Sequence, residues 1–132
     1  MSTDKRTELS ARIDKIEAAY EFMLAYAAQG HESDKDTGQG QDIRQYLNDI
    51  ELALDGFSVI AGAVAEEKNG PAAESYSIFI DALDNDARIT KAAVRLVLTQ
   101  DAISSQLIDN LNASIHLRAL LTDVFIIDEA FK

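Results

Sequence analysis

The sequence predicts an all-α protein, and more specifically an antiparallel up-down-up-down four-helix bundle that self-associates. Apolar residues recur every three or four positions in four separate stretches, which places them on one side of an α-helix. The 132 residues include one proline and six glycines, and no stretch alternates apolar and polar residues as a half-buried strand does. At this length we expect a single domain over residues 1–132.

The first predicted helix covers about residues 4–29. Gly30 can adopt the left-handed conformation that ends many helices. The segment 30–41 that follows is polar, glycine-rich and without periodicity, so we predict a flexible loop. The predicted core residues of this helix are Leu9, Ile13, Ile16, Tyr20, Met23 and Ala27.

The second predicted helix covers about residues 42–67 and has Asp42 as its N-cap. The sequence Asn69-Gly70-Pro71 ends it and places proline at the start of the next helix, where proline is favoured. Its predicted core residues are Ile43, Leu47, Ile50, Leu54, Phe57, Ala61 and Val64.

The third and fourth predicted helices cover about residues 71–99 and 102–131. The segment 84–86, Asp-Asn-Asp, could break the third, but the apolar register continues through it, which favours one helix. The predicted core residues are Tyr76, Ile80, Leu83, Ala87, Thr90, Val94 and Val97 in the third helix and Ile103, Leu107, Leu111, Ile115, Leu121 and Val124 in the fourth.

Four helices of similar length joined by short connections favour antiparallel neighbours with knobs-into-holes packing. Each would be roughly 40 Å long at the rise of an α-helix. The alternative is a pair of long hairpins that completes its bundle only by dimerising. The sequence contains no internal repeat that would distinguish the two.

The second and third helices carry additional apolar residues opposite their predicted core lines. A bundle helix needs an apolar stripe of only about 100°, and a large exposed apolar patch is uncommon on a monomer. We therefore predict a two-fold homodimer whose interface includes small residues that let two backbones approach. The predicted interface residues are Leu52, Gly56, Val59, Ala63, Ile78, Ile89 and Leu96.

Three polar residues of the fourth helix, Asn110, Ser114 and Arg118, are spaced four apart and are predicted to face its apolar side. One interpretation is a polar core site for a small anionic ligand. The other is a structural network in which Arg118 pairs with an acidic residue, because an unpaired buried charge is costly. A second polar line is predicted to face solvent and consists of Ser105, Asp109, Asn112, His116 and Asp123.

The net charge of −11 disfavours direct binding to nucleic acid or to an anionic membrane surface. Residues 31–70 contain nine acidic and three basic side chains, which amounts to −6. This segment could be a docking surface for a partner with a basic surface, or could serve solubility alone. No apolar run is long enough to cross a membrane, and the start of the chain lacks a secretory signal, so we expect a cytoplasmic protein.

No catalytic or cofactor motif is recognisable. The chain has no cysteine, and neither His31 nor His116 is preceded by the Glu-x-x spacing of di-iron bundles. Glu32, Asp34 and Asp36 resemble part of a calcium loop but lack its glycine and final glutamate, which leaves only weak cation binding. We therefore expect no enzyme activity, no metal and no cofactor.

Three hypotheses for function follow. The first is a small acidic, non-enzymatic, regulatory helical bundle that dimerises and binds another protein. The second is a ligand- or metal-binding bundle with a polar core site, and the third is an acidic mimic of nucleic acid.

Overall fold

The computed structural model describes residues 2–36, 40–68 and 70–132, and these residues form α-helices and one short 3-10 helix, with no strand among them. The prediction of an all-α protein is confirmed. Two of the four predicted helices are each divided in two, so the described residues contain six α-helices. They are α1 (Ser2–Ala28), α2 (Gly40–Leu54), α3 (Phe57–Lys68), α4 (Ala73–Leu98), α5 (Ser105–Ala113) and α6 (Ile115–Ala130), and the 3-10 helix is Asp34–Asp36.

The second predicted helix is divided at Gly56, whose φ is +73°. A residue with a Cβ atom adopts this left-handed conformation only with strain, which is why the break falls on glycine. Arg12 of α1 donates hydrogen bonds to the carbonyl oxygens of Ala53, at 3.0 Å, and Asp55, and so satisfies the exposed end of α2. The predicted core line nevertheless continues across the break, since all seven of its residues are buried.

Replacing Gly56 with alanine should destabilise the protein by about 1 kcal/mol, because alanine is strained at a positive φ. Gly62 provides the matched control. It lies inside α3 without a positive φ, and a Cβ added there would meet no atom within 4 Å. Gly62→Ala should therefore stabilise the helix by about 0.5–1 kcal/mol. Urea denaturation followed by circular dichroism measures both, and effects of the same sign would contradict this account of the break.

The fourth predicted helix is divided at Ser114, so the prediction of one helix from 102 to 131 is wrong. The ψ of Ser114 is 128°, its side chain accepts a hydrogen bond from the amide of His116, and its own amide donates to the carbonyl of Leu111. One serine thus ends α5 and caps α6. An α-helix rotates by about 100° per residue about its axis. Because the helix is interrupted at Ser114, this rotation does not relate the residues before Ser114 to those after it. Ile115, predicted to be in the core, is consequently 73% exposed.

The third predicted helix is continuous, as its unbroken apolar register indicated. Helix α4 includes the segment 84–86, and the core residues before and after that segment are buried. Of its seven predicted core residues, only Tyr76 is half-buried rather than buried. Asp42 is not the cap of α2, because this helix begins two residues earlier and places Asp42 in its first turn.

Helix α1 packs against α2, α3 and α5, and helix α4 packs against α2, α3 and α6. The large side chains between them are fully buried, and each aliphatic or aromatic one contributes about 1.5–3 kcal/mol through its removal from water. No helix in the described parts of the chain is long and apolar enough to cross a membrane. The largest of the fully buried side chains are Tyr26, Phe57, Leu9, Ile16, Met23 and Ile43.

The described part of the predicted flexible loop, residues 30–36, is held in place by a buried carboxylate. Asp34 is 4% exposed and accepts hydrogen bonds from Nε of Arg44 at 2.7 Å and from the amide of Ile103 at 2.8 Å. Arg44 also donates to the carbonyl oxygens of Leu98 and Gln100. We call Asp34, Arg44 and the backbone of Ile103 the loop clamp.

The loop clamp corrects two predictions. The segment is not simply a flexible loop, and Asp34 is already bound to an arginine and a backbone amide, so it does not offer an open carboxylate to a weakly bound cation. Residues 37–39 of the predicted loop, and Asn69 at the end of the second predicted helix, lie outside the described residues.

Candidate interaction surface

Four large aliphatic side chains of the predicted interface project into solvent. The exposed fractions are 68% for Leu52, 74% for Val59, 64% for Ile78 and 64% for Leu96. Ile89, on the same line of α4 as Ile78 and Leu96, is half-buried. We call these five residues the outer face. Their exposure agrees with the predicted surplus apolar surface, while their contact with a second molecule stays a prediction.

The outer-face residues of α2 and α3 lie beside those of α4, because α2 and α3 run along α4 in the opposite direction. Glu51 forms an ion pair with Arg95 at 2.9 Å, and Asp55 forms one with Lys91 at 3.4 Å. The residue numbers rise on one helix as they fall on the other, which is the register of an antiparallel pair. The basic side chains of α4 therefore lie next to acidic side chains of α2 and its end.

This register arranges the outer face in two layers. Leu52 follows Glu51 and Leu96 follows Arg95, so these two leucines lie beside one ion pair. Ile89 lies seven residues before Leu96 on α4, which is about 10 Å along the helix axis, and Val59 lies seven residues after Leu52, across the break at Gly56. Spacing by seven is the repeat with which helices pack against one another over more than one turn.

Two small residues of the predicted interface do not require a second molecule. Gly56 was predicted to allow close approach of a second backbone, but its positive φ already accounts for glycine at the α2–α3 break. Ala63 of α3 is half-buried. Neither residue adds an observation in favour of an interface.

The predicted polar core site is wrong. Asn110 and Arg118 are both exposed, and Ser114 is the residue at which the helix is divided. The side chain of Asn110 accepts a hydrogen bond from Gln106 on its own helix at 3.0 Å. The three residues were placed on one side by assuming a continuous helix, and the break at Ser114 removes that assumption.

The buried polar side chains of α5 are Ser105 and Asn112, both of which were predicted to face solvent. Ser105 donates through Oγ to the carbonyl of Tyr26 at 2.7 Å and accepts from the amide of His31 at 2.8 Å. Asn112 donates to the carbonyl of Met23 at 3.1 Å. These bonds join α5 to the end of α1, so the role of both side chains is structural.

Tyr26 belongs to the same end of the molecule as the loop clamp. Its hydroxyl donates to the carbonyl of Ile103 at 2.7 Å. Burial raises the pKa of Tyr26, the charge of Asp34 raises it further, and Arg44 acts against both. The phenol is therefore a neutral donor at physiological pH, as its hydrogen bond requires.

Two carboxyl groups meet between α4 and α6. Burial first, and then the hydrogen bond and charge of Asp86, raise the pKa of Asp123 to about 7. The Oδ2 atom of Asp123 is buried and has no hydrogen-bond donor among the described residues unless one of the two carboxyls carries a proton. The amino-acid pattern does not predict this acid pair, because it places Asp123 on the solvent-facing line of an unbroken helix.

Asp123 borders a shallow groove on α6 that is also lined by Arg118 and Thr122. Within the described residues, no group of three or more histidine, aspartate or glutamate side chains is placed to hold a metal ion. A carboxyl that titrates near neutrality makes the α4–α6 contact sensitive to pH. The two carboxyls thus form a contact between α4 and α6 whose strength depends on the binding of a proton.

The fold and these surfaces define the chain as an acidic all-α protein with an exposed apolar face. Comparison of the chain with protein-family models, curated proteins and solved structures gave no match.

Proposed function

We propose that the protein is a non-enzymatic interaction module that forms a two-fold dimer through the outer face. The observation that carries this proposal is the exposure of Leu52, Val59 and Leu96 in two layers on neighbouring antiparallel helices. Exposed apolar area of this kind is uncommon on a monomer and is removed from water when a second molecule covers it.

A second copy is a suitable occupant because the outer face is self-complementary. A two-fold axis between the two layers would bring the Leu52–Leu96 layer of one protomer against the Val59–Ile89 layer of its partner. The charges between the layers support such packing, since Glu51 and Asp55 are already paired with Arg95 and Lys91. Packing over paired charges carries a smaller desolvation cost than packing over isolated ones.

The test replaces Leu52 and Val59 together with aspartate. Sedimentation equilibrium should give twice the chain mass of 14.5 kDa for the parent protein and 14.5 kDa for the double variant. Two exposed positions change, so circular dichroism should show the same helix content for both. Charge repulsion and the lost apolar contact both act against the dimer.

Leu24→Asp is the matched control, because Leu24 of α1 is exposed but lies outside the outer face. This variant should keep the mass of the parent. A parent protein that sediments at 14.5 kDa at concentrations near 100 μM, or a control variant that dissociates as readily as the double variant, would refute the proposal.

We extend the proposal to the architecture and location of the module. The six helices act as four antiparallel rods, α1, α2 with α3, α4, and α5 with α6, connected up-down-up-down within a single domain. The packing of α1 and α4 on both neighbouring pairs supports this arrangement. The absence of cysteine from the sequence supports a cytoplasmic location.

The alternative of a ligand-binding bundle no longer has an observation in its favour. It depended on a polar core site at Asn110, Ser114 and Arg118, and two of these side chains are exposed. The mimic of nucleic acid has only negative charge in its favour.

A further inference from the structure

A groove separates the end of α3 from the start of α4. Gly62, Ala65 and Ile80 form its apolar part, and Glu66 and Asp81 lie at its rim, one on each helix. Ala65 and Ile80 belong to the buried core, whereas both acidic residues are exposed. The groove therefore presents an apolar floor between two carboxylates and shares no residue with the outer face.

Gly62 keeps this groove open at a cost to the helix. Glycine inside a helix is less favourable than alanine by about 0.5–1 kcal/mol. Nothing in the backbone demands glycine here, since Gly62 has no positive φ and an added Cβ would meet no atom within 4 Å. The space above Gly62 is thus open to a group from another molecule.

Among the described residues, charged side chains along α4 are paired far from the groove and unpaired next to it. Farther along α4, Arg88, Lys91 and Arg95 each form an ion pair with an acidic side chain. At the groove, the acidic residues have no lysine or arginine within ion-pair distance in the part of the chain that the structure describes. These residues are Glu66 and Asp81, which line the groove, and Glu67 and Glu74, which adjoin lining residues in the sequence, and all four are exposed.

The nearest basic residue in sequence, Lys68, does not neutralise them. Its ammonium group lies 6.0 Å from the centre of the Phe131 ring, in a cation–π contact that it shares with Arg6 on the same ring. The groove consequently keeps its negative charge, which attracts a cationic group from outside the molecule.

We propose that this groove binds arginine or lysine side chains on a basic segment of a partner protein. The aliphatic stem would lie on Gly62, Ala65 and Ile80, and the cationic head would lie between Glu66 and Asp81. Long basic side chains bind in this divided manner because their stems are apolar and their heads are charged. The proposal goes beyond dimerisation and does not depend on it, because the groove shares no residue with the outer face.

The test measures binding of a short fluorescein-labelled peptide of alternating alanine and arginine by fluorescence anisotropy. Glu66→Gln with Asp81→Asn should weaken binding by at least about tenfold, and Gly62→Leu should do the same by filling the floor without changing the charge. In NMR spectra of the isotope-labelled protein, the peptide should change the amide chemical shifts most strongly around Gly62 and Ser77. A peptide with glutamine in place of arginine should not bind.

Two matched controls separate the groove from the general field of an acidic protein. Glu17→Gln with Glu21→Gln removes the same charge from exposed positions of α1, and Ala18→Leu adds the same bulk there. Both should keep the affinity of the parent within about twofold. Equal weakening by the charge control, or unchanged binding by Gly62→Leu, would overturn the proposal.

The same experiment is independent of the proposed dimer. The Leu52→Asp, Val59→Asp double variant should bind the peptide as the parent does, and the groove variants should keep the parent's mass. A parent protein that is monomeric and yet binds the peptide would refute the proposed function alone, and a dimeric parent that does not bind the peptide would refute this inference alone.

Discussion

Asp34→Ala should lower the free energy of unfolding by about 2–3 kcal/mol, a large effect for one residue in a loop. Breaking a fully buried ion pair costs about 3–5 kcal/mol, and we expect somewhat less here because the side chain of Arg44 is 31% exposed. The substitution also leaves the amide of Ile103 without its acceptor. Both losses release residues 30–36, which the clamp ties to α2 and to the segment just before α5.

The loop clamp also predicts how stability depends on pH in acid. Burial raises the pKa of Asp34, but hydrogen bonds from Arg44 and Ile103 outweigh it, so the pKa is lowered from its usual value of 3.8. A lowered pKa contributes stability that is present above the unfolded-state value and is lost as the pH falls through the folded-state value. Wild-type protein should therefore lose stability below about pH 4, and Asp34→Asn should lose less over that range.

Urea denaturation as a function of pH measures these effects. Asp36→Ala is the control, because Asp36 is in the same 3-10 helix and is exposed. It should change stability by no more than about 0.5 kcal/mol. A loss of equal size in Asp36→Ala, or an Asp34→Ala variant as stable as the parent, would show that the clamp does not hold the loop.

The core was largely predictable from the sequence because burial repeats with the period of the helix. Every predicted core residue between Ile43 and Val64 is buried, even though Gly56 divides the helix that carries them. The break leaves the register intact, so a pattern that ignores it still assigns the correct residues to the core.

The break at Ser114 has the opposite effect. An extended ψ at this position turns α6 relative to α5, so Ile115 is exposed. A serine flanked by helix-forming residues is a weak signal, since serine is both a common cap and an ordinary helix-surface residue. The error for Asp123 arises because periodicity was extended across this break, whereas Ser105 and Asn112 lie before it and are buried through their hydrogen bonds to the end of α1.

Hydrophobic periodicity does not predict polar pairs between residues that are far apart in the sequence. Asp34 and Ile103 are far apart in sequence, as are Asp86 and Asp123, and each pair meets only because of how the helices pack. The exposed aliphatic residues Leu52, Val59 and Leu96 were recognisable because they lie opposite a core line on their own helices. Surfaces made by one helix are thus predictable from sequence, and sites made between helices are not.

Asp123→Asn should remove a loss of stability that the parent protein shows as the pH rises from about 4 to about 8. The folded-state pKa of Asp123 is raised to about 7 from 3.8. A raised pKa contributes stability that is fully present below the unfolded-state value and is lost as the pH rises through the folded-state value. At about 1.36 kcal/mol for each pKa unit, the complete loss is at most about 4 kcal/mol. Between about pH 5 and pH 9 we expect about 2 kcal/mol, since water can reach the groove beside Asp123.

Asp86→Asn separates the causes of this shift. Burial is the first cause, and the hydrogen bond and charge of Asp86 are the other two, so this variant should retain the part of the pH dependence that is due to burial while Asp123→Asn abolishes it. Asp109→Asn, at an exposed position of α5, is the control and should keep the full dependence. Stabilities from urea denaturation at several pH values measure all four proteins. A parent protein whose stability is constant from pH 5 to 9, or an Asp123→Asn variant that loses as much as the parent, would show that the two carboxyls do not share a proton. The Asp34 contribution is gained as the pH rises to the unfolded-state value of 3.8, and the Asp123 contribution is lost above that value, so the stability of the parent should be greatest near about pH 4.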